Sequence, residues 1–222
     1  LKKNYCISVF DKDAEALEQL PKVDVLLVGK TGTLTEGKPS VEKVEAEGSY
    51  SREEVLQILA SVNAHSEHPL GKATVEQAKA ENLDLFEVSD FHNESGQGVR
   101  ATWNGKAVYV GNAKLIDSHK IQLSYSLKKS ATSEQEKGKT VSYIAVDKDV
   151  VGFVVLADAL KDTTKKAIKA IQDSGVEVHM LTGDNRFTAQ HIASEVGITE
   201  FKAEVLPEDK HEYVKQLQSQ GK

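Results

Sequence analysis

A short run of small polar residues, GKTGTLT from Gly29 to Thr35, has the composition of a phosphate-binding loop. Gly-Lys-Thr ends the motif GxxxxGK[ST], whose first glycine starts a loop that wraps phosphates with backbone N–H groups. Asp24 stands where that motif needs its first glycine, and Val25 to Val28 form an apolar run that is typical of a buried strand. The sequence therefore predicts a strand followed by a polar loop, and not a P-loop.

Two further polar stretches could meet this loop. Thr182-Gly183-Asp184 follows a predicted strand, and Leu206 to Lys210 opens a predicted helix. Ligands of open parallel sheets bind at the carboxyl ends of the strands. Hydroxyls of Thr31, Thr33 and Thr182 would suit a phosphoryl group, whose spread negative charge needs fixed donors. The Lys210 ammonium would add a cation, and Asp184 could position a metal or a polar partner. Each stretch alone could be an ordinary turn, but the three together favour phosphoryl chemistry.

Composition restricts the class of protein. The 222 residues are 28% charged and 39% hydrophobic, as in an ordinary soluble globular protein of one large or two small domains. A net charge of −6 argues against a nucleic-acid partner, which would need a basic face. Cys6 is the only cysteine, which excludes an intrachain disulfide and indicates a reducing compartment. No apolar run approaches the roughly 20 residues of a membrane helix, so we expect the chain itself not to span a membrane.

The order of predicted elements indicates two domains. The last third alternates strands and helices, which implies a parallel, doubly wound sheet that the strand Val23 to Val28 could join. The middle reads as mostly antiparallel, with a tight hairpin turn at Asn104-Gly105. We therefore predict an α/β fold with a parallel-sheet core in two sequence pieces, 1–38 and 155–222. An α+β domain built on an antiparallel sheet, 39–154, is inserted after the first strand.

The sequence also predicts where the helices begin and, for two of them, how exposed or apolar they are. Ser51 and Glu54 form a capping box at the head of one helix, and Pro69 opens the next. The later helices are expected to be exposed from Leu123 to Lys137 and amphipathic from Asp162 to Ser174, the latter with one apolar face formed by Ala167, Ile168 and Ile171. The remaining predicted helices are Asp11 to Leu20, Phe187 to Val196 and Glu208 to Gln218.

Several motifs together resemble one family. GKTGTLT is similar to the DKTGTLT signature of P-type ATPases, members of the haloacid dehalogenase superfamily, and Thr182-Gly183-Asp184 resembles their TGD motif. Ser66-Glu67-His68-Pro69-Leu70 matches SEHPL, a signature of the nucleotide-binding domain of heavy-metal-transporting members. Gly96-Gln97-Gly98 and Gly111-Asn112 match that domain's GxG and GN motifs. The resemblance covers essentially the whole chain, and the SEHPL glutamate favours the copper or silver branch.

The resemblance implies a haloacid dehalogenase-like, Rossmann-like phosphorylation core and an inserted nucleotide-binding domain. His68 would contact the adenine of ATP or ADP or orient the triphosphate, with Glu67 in support, although a histidine that only caps the second helix is the alternative. Gly96 and Gly98 would let the backbone approach the nucleotide closely. Further nucleotide residues would be Asn63, Gly111 and Asn112. Catalytic roles in the core would fall to position 29, Lys30, Thr31, Thr182, Gly183, Asp184 and Lys210, with Mg²⁺ held through the Thr31 backbone.

Three departures from the family pattern limit what the resemblance implies. The phosphoacceptor aspartate falls on Gly29, which has no side chain, so no aspartyl-phosphate can form there. The acid that contacts adenine falls on Asn63, which can accept a hydrogen bond without charge assistance. The GDGxND motif that the family uses to hold Mg²⁺ does not occur before Lys222, so we expect a core that is incomplete at its C-terminus.

These observations predict the ATP-binding and partial phosphorylation region of a heavy-metal-exporting P-type ATPase. Its partners in the parent pump would be the actuator and transmembrane domains, and it would lie on the cytoplasmic side of the membrane. As written, the chain would bind nucleotide without being phosphorylated. Two alternatives remain: a small-molecule phosphatase of the same superfamily, and a non-enzymatic regulatory relative that has kept the fold and lost the chemistry.

Overall fold

The chain folds around two sheets in the computed structural model, which describes residues 23–221. The predicted helix Asp11 to Leu20 and the cysteine Cys6 lie outside the described residues. The strands are β1 Val25–Gly29, β2 Ser40–Ala46, β3 Ser89–Glu94, β4 Gly98–Trp103, β5 Lys106–Gly111, β6 Thr140–Val146, β7 Asp149–Ala157, β8 Glu177–Leu181 and β9 Glu200–Lys202. The helices are α1 Arg52–Asn63, α2 Pro69–Ala80, α3 Ala113–Ser118, α4 Tyr125–Glu136, α5 Thr164–Asp173, α6 Arg186–Val196 and α7 Asp209–Ser219.

The smaller sheet is parallel and has the strand order β1-β8-β9. Its apolar strands bury Val28, Val178 and Met180 against α5 and α6, which cover one face. Alternate residues point to the opposite face, where His179 meets Tyr213 of α7 at 3.1 Å. Helices on both faces make this a doubly wound unit, as predicted.

The larger sheet is antiparallel, with the order β2-β7-β6-β5-β4-β3. Its two faces carry separate apolar cores, because successive residues of each strand alternate in direction. Val154 packs under α1 and α2, whereas its neighbours Phe153 and Val155 pack under α3 and α4. The hairpin between β4 and β5 turns through Asn104 and Gly105 with φ values of 48° and 72°, as the Asn-Gly pair predicts.

The inserted character of this larger unit is visible in its first and last strands. Ser40 at the start of β2 pairs with Ala157 at the end of β7, so the chain enters and leaves the unit side by side. The predicted fold class, a parallel core interrupted by an antiparallel α+β unit, is confirmed. The boundaries at 38/39 and 154/155 remain predictions, and β7 continues for three residues past the second of them.

The helix starts follow the sequence signals closely. At the head of α1, Ser51 Oγ accepts from the backbone N–H of Glu54, and the Glu54 carboxylate accepts from the Ser51 N–H at 2.7 Å. Pro69 takes the first position of α2, where its missing N–H costs no hydrogen bond. Gly197 ends α6 with φ at +81°, a left-handed conformation that glycine adopts without strain.

Two helix faces differ from the prediction. Helix α4 was expected to be exposed, but its Leu127 and Ala131 are buried against β6 and β7, because the second face of the large sheet must be covered. On α5, Ile168 is buried and Ile171 partly so, whereas Ala167 is exposed. The apolar stripe of α5 is therefore narrower than predicted. Within residues 23–221 we find no helix with the length and apolar character needed to cross a membrane.

Candidate functional site

The centre of the candidate site is an ion pair between two strand ends. Gly29 and Leu181 are paired at the carboxyl ends of β1 and β8, which brings the residues that follow them together. Lys30 Nζ lies 2.5 Å from Asp184 Oδ2, and the two side chains are only 9% and 13% exposed. Such a pair interacts more strongly than a surface pair, because little water screens it. Two of the three predicted loops therefore meet by direct contact.

The first loop, Lys30–Leu34, is an irregular turn that neighbouring side chains hold in place by hydrogen bonds. Gly32 adopts φ +77°, which requires a residue without a β-carbon, and its N–H donates to Thr35 Oγ1. Thr35 is 1% exposed and donates to Asp158 Oδ2 at 2.6 Å. Lys161 Nζ reaches the Gly32 carbonyl at 2.8 Å. These supporting residues were not predicted as site residues, because no motif links Asp158 and Lys161 to the loop.

The second loop is closed on itself and is bonded to Glu204 and Val205, which directly precede the third stretch. Thr182 Oγ1 donates to Asp184 Oδ2 at 3.0 Å and accepts from the Asp184 N–H. The Glu204 N–H donates to the Asp184 carbonyl at 2.9 Å, and the Val205 N–H donates to that of Thr182. A β-carbon added at Gly183 would lie 3.5 Å from the Val205 carbonyl oxygen, which is an ordinary van der Waals distance. The loop therefore presents the Asp184 carboxylate in a fixed direction.

Three of the predicted phosphate donors are exposed and take no part in this ion pair. Thr31 and Thr33 are exposed on the first loop. Lys210, in the first turn of α7, is also exposed and makes no hydrogen bond or ion pair with the residues that the structure describes. The side chains that the structure brings together are Lys30, Thr182 and Asp184.

His68 comes to this site from the inserted unit. It caps α2, with Nδ1 accepting from the Leu70 N–H at 3.2 Å, so Nε2 carries the proton of the neutral ring. The pKa of His68 is lowered, first because partial desolvation disfavours the imidazolium, although much of the side chain is exposed to solvent. Asp184 raises this pKa and Lys30 lowers it, so the imidazole feels both charges of the ion pair. Glu67 is exposed beside it. The cap is therefore present, and the contact of His68 with a nucleotide stays a prediction.

Asn63 closes the end of α1 against α2. Its side chain is buried, and Nδ2 donates to Thr74 Oγ1 at 3.0 Å, while Thr74 in turn donates to the Gly71 carbonyl. One of the two N–H groups of the amide is therefore used within the protein. The second N–H and the carbonyl oxygen Oδ1 remain for another partner.

The glycines of the GxG and GN motifs have structural reasons of their own. A β-carbon on Gly98, at φ +146°, would lie 2.2 Å from the Val110 carbonyl, and one on Gly111 would lie 2.2 Å from the Gln97 carbonyl. These two residues let β4 and β5 approach each other. Gly96, at φ +68°, packs under Leu206 of the core. Asn112 caps α3 through Oδ1 and donates to the Gly96 carbonyl at 2.8 Å.

The acidic side chains of the described residues do not cluster around a metal site of their own. Mg²⁺ is usually held by one or two carboxylates together with waters and substrate phosphates. Residues 23–221 contain no group of three or more His, Cys, Asp or Glu side chains placed to hold a metal ion, and the Asp184 carboxylate is neutralised by Lys30. Position 29 offers no carboxylate, although its backbone is extended and a β-carbon there would meet nothing within 4 Å.

Known proteins with similar sequences are ion pumps. Over 213 residues the chain is 40% identical to a copper-transporting P-type ATPase of Rhizobium leguminosarum bv. viciae, covering 96% of this chain and 25% of that protein. It is 37% identical over 211 residues to a copper-exporting P-type ATPase of Bacillus subtilis (strain 168), covering 95% and 26%. The chain therefore spans about a quarter of the length of these curated relatives.

Solved structures and a family model agree with these relatives. The fold matches the catalytic domain of the CPx-ATPase CopB-B, described for its conformational changes upon nucleotide binding, with a TM-score of 0.73 and 25% identity over 95% of this chain and 72% of that one. A zinc-transporting PIB-type ATPase matches with a TM-score of 0.55 and 33% identity over 92% and 33%. The resemblance to heavy-metal P-type ATPases is thereby confirmed. Because the model of the haloacid dehalogenase-like hydrolases matches residues 23–222, the chain belongs to that family.

Proposed function

We propose that this chain binds ATP or ADP between His68 of the inserted unit and the Lys30–Asp184 pair of the parallel core, a site that we call the cleft. The observation that carries the proposal is the position of His68, which caps α2 in the inserted unit and lies in the field of the Lys30–Asp184 pair of the core. A nucleotide with its base on the inserted unit and its phosphates toward this pair would contact both units.

Each residue near the cleft can be given a task that fits its chemistry. Neutral His68 can stack on a base or donate from Nε2 to a phosphate. Lys30 supplies the cation, since a phosphate can compete with Asp184 for its three donors. The Asn63 carbonyl can accept from the adenine amino group while its nitrogen stays on Thr74. Gly96, Gly98, Gly111 and Asn112 would shape the neighbouring wall.

Phosphoryl transfer to the chain is not part of the proposed function. An aspartyl-phosphate needs a carboxylate nucleophile, and Gly29 has none. The relatives imply the use of ATP and Mg²⁺ by this class of pump. We propose that any Mg²⁺ comes with the nucleotide phosphates, because the described residues lack a resident set of ligands. The module thus binds the nucleotide and does not turn it over.

In a larger protein this region would be the energy-coupling part of a heavy-metal pump. The copper-transporting relatives favour copper as the cargo, with the actuator and transmembrane domains as partners and the cytoplasmic side as the location. A transport assay with the whole polypeptide, comparing copper, silver and zinc in membrane vesicles, tests this assignment. ATP-dependent uptake of none of the three metals would contradict it.

Calorimetric titration of this chain with ATP and ADP tests nucleotide binding directly. Affinities on the order of 0.1–1 mM need only about 4–5.5 kcal/mol, which a few contacts can supply. His68→Ala should weaken binding by about 1–2 kcal/mol, the scale of one good contact. His92→Ala is the matched control, because His92 is an exposed histidine of the same unit on β3. No binding by the parent chain, or equal affinities for the parent and His68→Ala, would refute the proposal.

A further inference from the structure

The hydroxyl of Thr140 lies between the two charges of the central ion pair. Lys30 Nζ donates to Thr140 Oγ1 at 3.3 Å, and the same hydroxyl donates to Asp184 Oδ1 at 3.3 Å. A hydroxyl can accept and donate at the same time, so both contacts are satisfied together. The result is a closed triangle of three side chains, one of them neutral.

Thr140 belongs to the inserted unit, whereas its two partners belong to the core. It is the first residue of β6, and its backbone partner across the sheet is Leu156 of β7. The residue before it, Lys139, accepts a hydrogen bond on its carbonyl from Thr188 Oγ1 of α6 at 2.8 Å. Thr188 is 1% exposed, so this second contact is also shielded from water. The start of β6 is therefore pinned to the core at two neighbouring points.

We propose that Thr140 is a positioning residue, which orients the Lys30 ammonium toward the terminal phosphate of a bound nucleotide. This inference rests on the proposed function and deepens it. Lys30 has three donors and a flexible stem, so Asp184 alone fixes its distance better than its direction. The Thr140 hydroxyl supplies a second acceptor, which fixes the direction of the ammonium. Because this acceptor comes from the inserted unit, the direction of the Lys30 ammonium is fixed only while the two units are in contact.

A purely structural role for Thr140 predicts different behaviour from a positioning role. If Thr140 only filled space in β6, valine would replace it without consequence, because valine has the same shape and suits a strand. If the hydroxyl positions Lys30, serine should preserve the effect and valine should abolish it. Thr102→Val in β4 serves as the matched control, since Thr102 is a half-buried threonine of the same sheet.

The first measurement needs no nucleotide. The side-chain ammonium signal of Lys30 in a ¹⁵N-labelled chain should be detectable, because the group is buried and held by two acceptors. Thr140→Val should broaden this signal by at least a few-fold through faster exchange with water, whereas Thr140→Ser and Thr102→Val should leave it sharp. An equally sharp Lys30 signal in Thr140→Val would overturn the proposal.

The second measurement compares ATP with ADP, since only ATP has a γ-phosphate. Thr140→Val should lower the ratio of ATP to ADP affinity by about five- to tenfold, with ADP affinity changed less than twofold, and Thr140→Ser should restore it. An unchanged ratio in Thr140→Val, together with weakened binding in His68→Ala, would overturn the role of Thr140 and leave the proposed function intact. Unchanged binding of both nucleotides in His68→Ala would instead overturn the proposed function, and this inference with it.

Discussion

At the scale of one residue, position 29 is where the resemblance places the phosphoacceptor aspartate, and glycine stands there. The strand that leads to it ends in an extended conformation, with φ −82° and ψ 159° at Gly29, which any L-residue can adopt. A β-carbon there would meet nothing within 4 Å, and Lys30 and Asp184 lie directly beyond it. The local structure therefore does not require glycine. What is missing at this position is a functional group and not a space.

Gly29→Asp should fold with a free energy of unfolding within about 1 kcal/mol of the parent chain. Removing a glycine stabilises by roughly 0.4–1 kcal/mol through the unfolded state, and repulsion from Asp184 opposes this gain while Lys30 screens it. Urea denaturation measures the difference. Gly152→Ala is the contrasting variant, because its β-carbon would lie 2.2 Å from the Glu45 carbonyl. This substitution should lower the free energy of unfolding far more than Gly29→Asp changes it.

The same Gly29→Asp variant should remain unphosphorylated. The attacking carboxylate would be restored, but Asp184 is paired with Lys30, and the described residues add no cluster of acidic ligands to position the Mg²⁺ that arrives with ATP. Incubation with γ-labelled ATP and Mg²⁺, followed by acid quench and a gel, is the measurement. A hydroxylamine-sensitive label near one per chain would show that the residues present are sufficient.

His68 should titrate below the ordinary histidine pKa of about 6.5. Desolvation lowers its pKa, so the folded chain binds fewer protons than the unfolded chain between the two values, and stability falls as the pH drops through that window. Asp184→Asn should lower the midpoint further, and Lys30→Met should raise it. The midpoint of the His68 ring signals in an NMR pH titration checks this. Equal midpoints in all three proteins would mean that His68 does not lie beside the ion pair.

At the scale of the element, two glycines of the β4–β5 hairpin should differ in how much stability is lost when each is replaced by alanine. Gly98→Ala should destabilise by roughly 3 kcal/mol or more, because its β-carbon would lie 2.2 Å from the Val110 carbonyl. Gly105→Ala, at φ +72° with open space around it, should cost only the left-handed strain of about 1–2 kcal/mol. Thermal unfolding compares the two variants. Similar losses would show that the close approach of β4 and β5 is not as described.

The elements that the sequence predicted well are those whose signals are local. The capping box at Ser51, the Asn104-Gly105 turn and the apolar strand before Gly29 depend on neighbours along the chain, and all three are present. The prediction that α4 is exposed was wrong, because the burial of one of its faces depends on a sheet that is formed by distant strands. The site was predictable as a meeting of strand ends. The contact from Thr140 was not, because no sequence motif marks it.

At the scale of the whole molecule, the two units keep separate cores and touch around the cleft. None of the described core clusters mixes apolar residues of the two units. Their contacts include the hydrogen bond from Lys114 Nζ to the Glu204 carbonyl at 2.5 Å, that from Thr188 to the Lys139 carbonyl, and Thr140 at the ion pair. Gly96 also lies against Leu206, and α4 packs beside α6. Interfaces of this kind hold a relative orientation weakly compared with a shared apolar core. Opening of the cleft would therefore leave both cores intact.

Residues 39–158 expressed alone should therefore fold as a cooperative unit. Its ends are joined by the pairing of Ser40 with Ala157, so excision leaves no strand without its neighbour, and both faces of the six-stranded sheet keep their helices. Amide spectra of the excised unit and the whole chain should overlay except near His68, Gly96, Lys114 and Thr140 and along α4, which lose their contacts with the core. Poor dispersion or strong binding of a hydrophobic dye would indicate a molten unit and refute the prediction. Spectral changes spread evenly through β5, β6 and β7 would also refute it, because they would mean that the core of the inserted unit is completed by the parallel sheet.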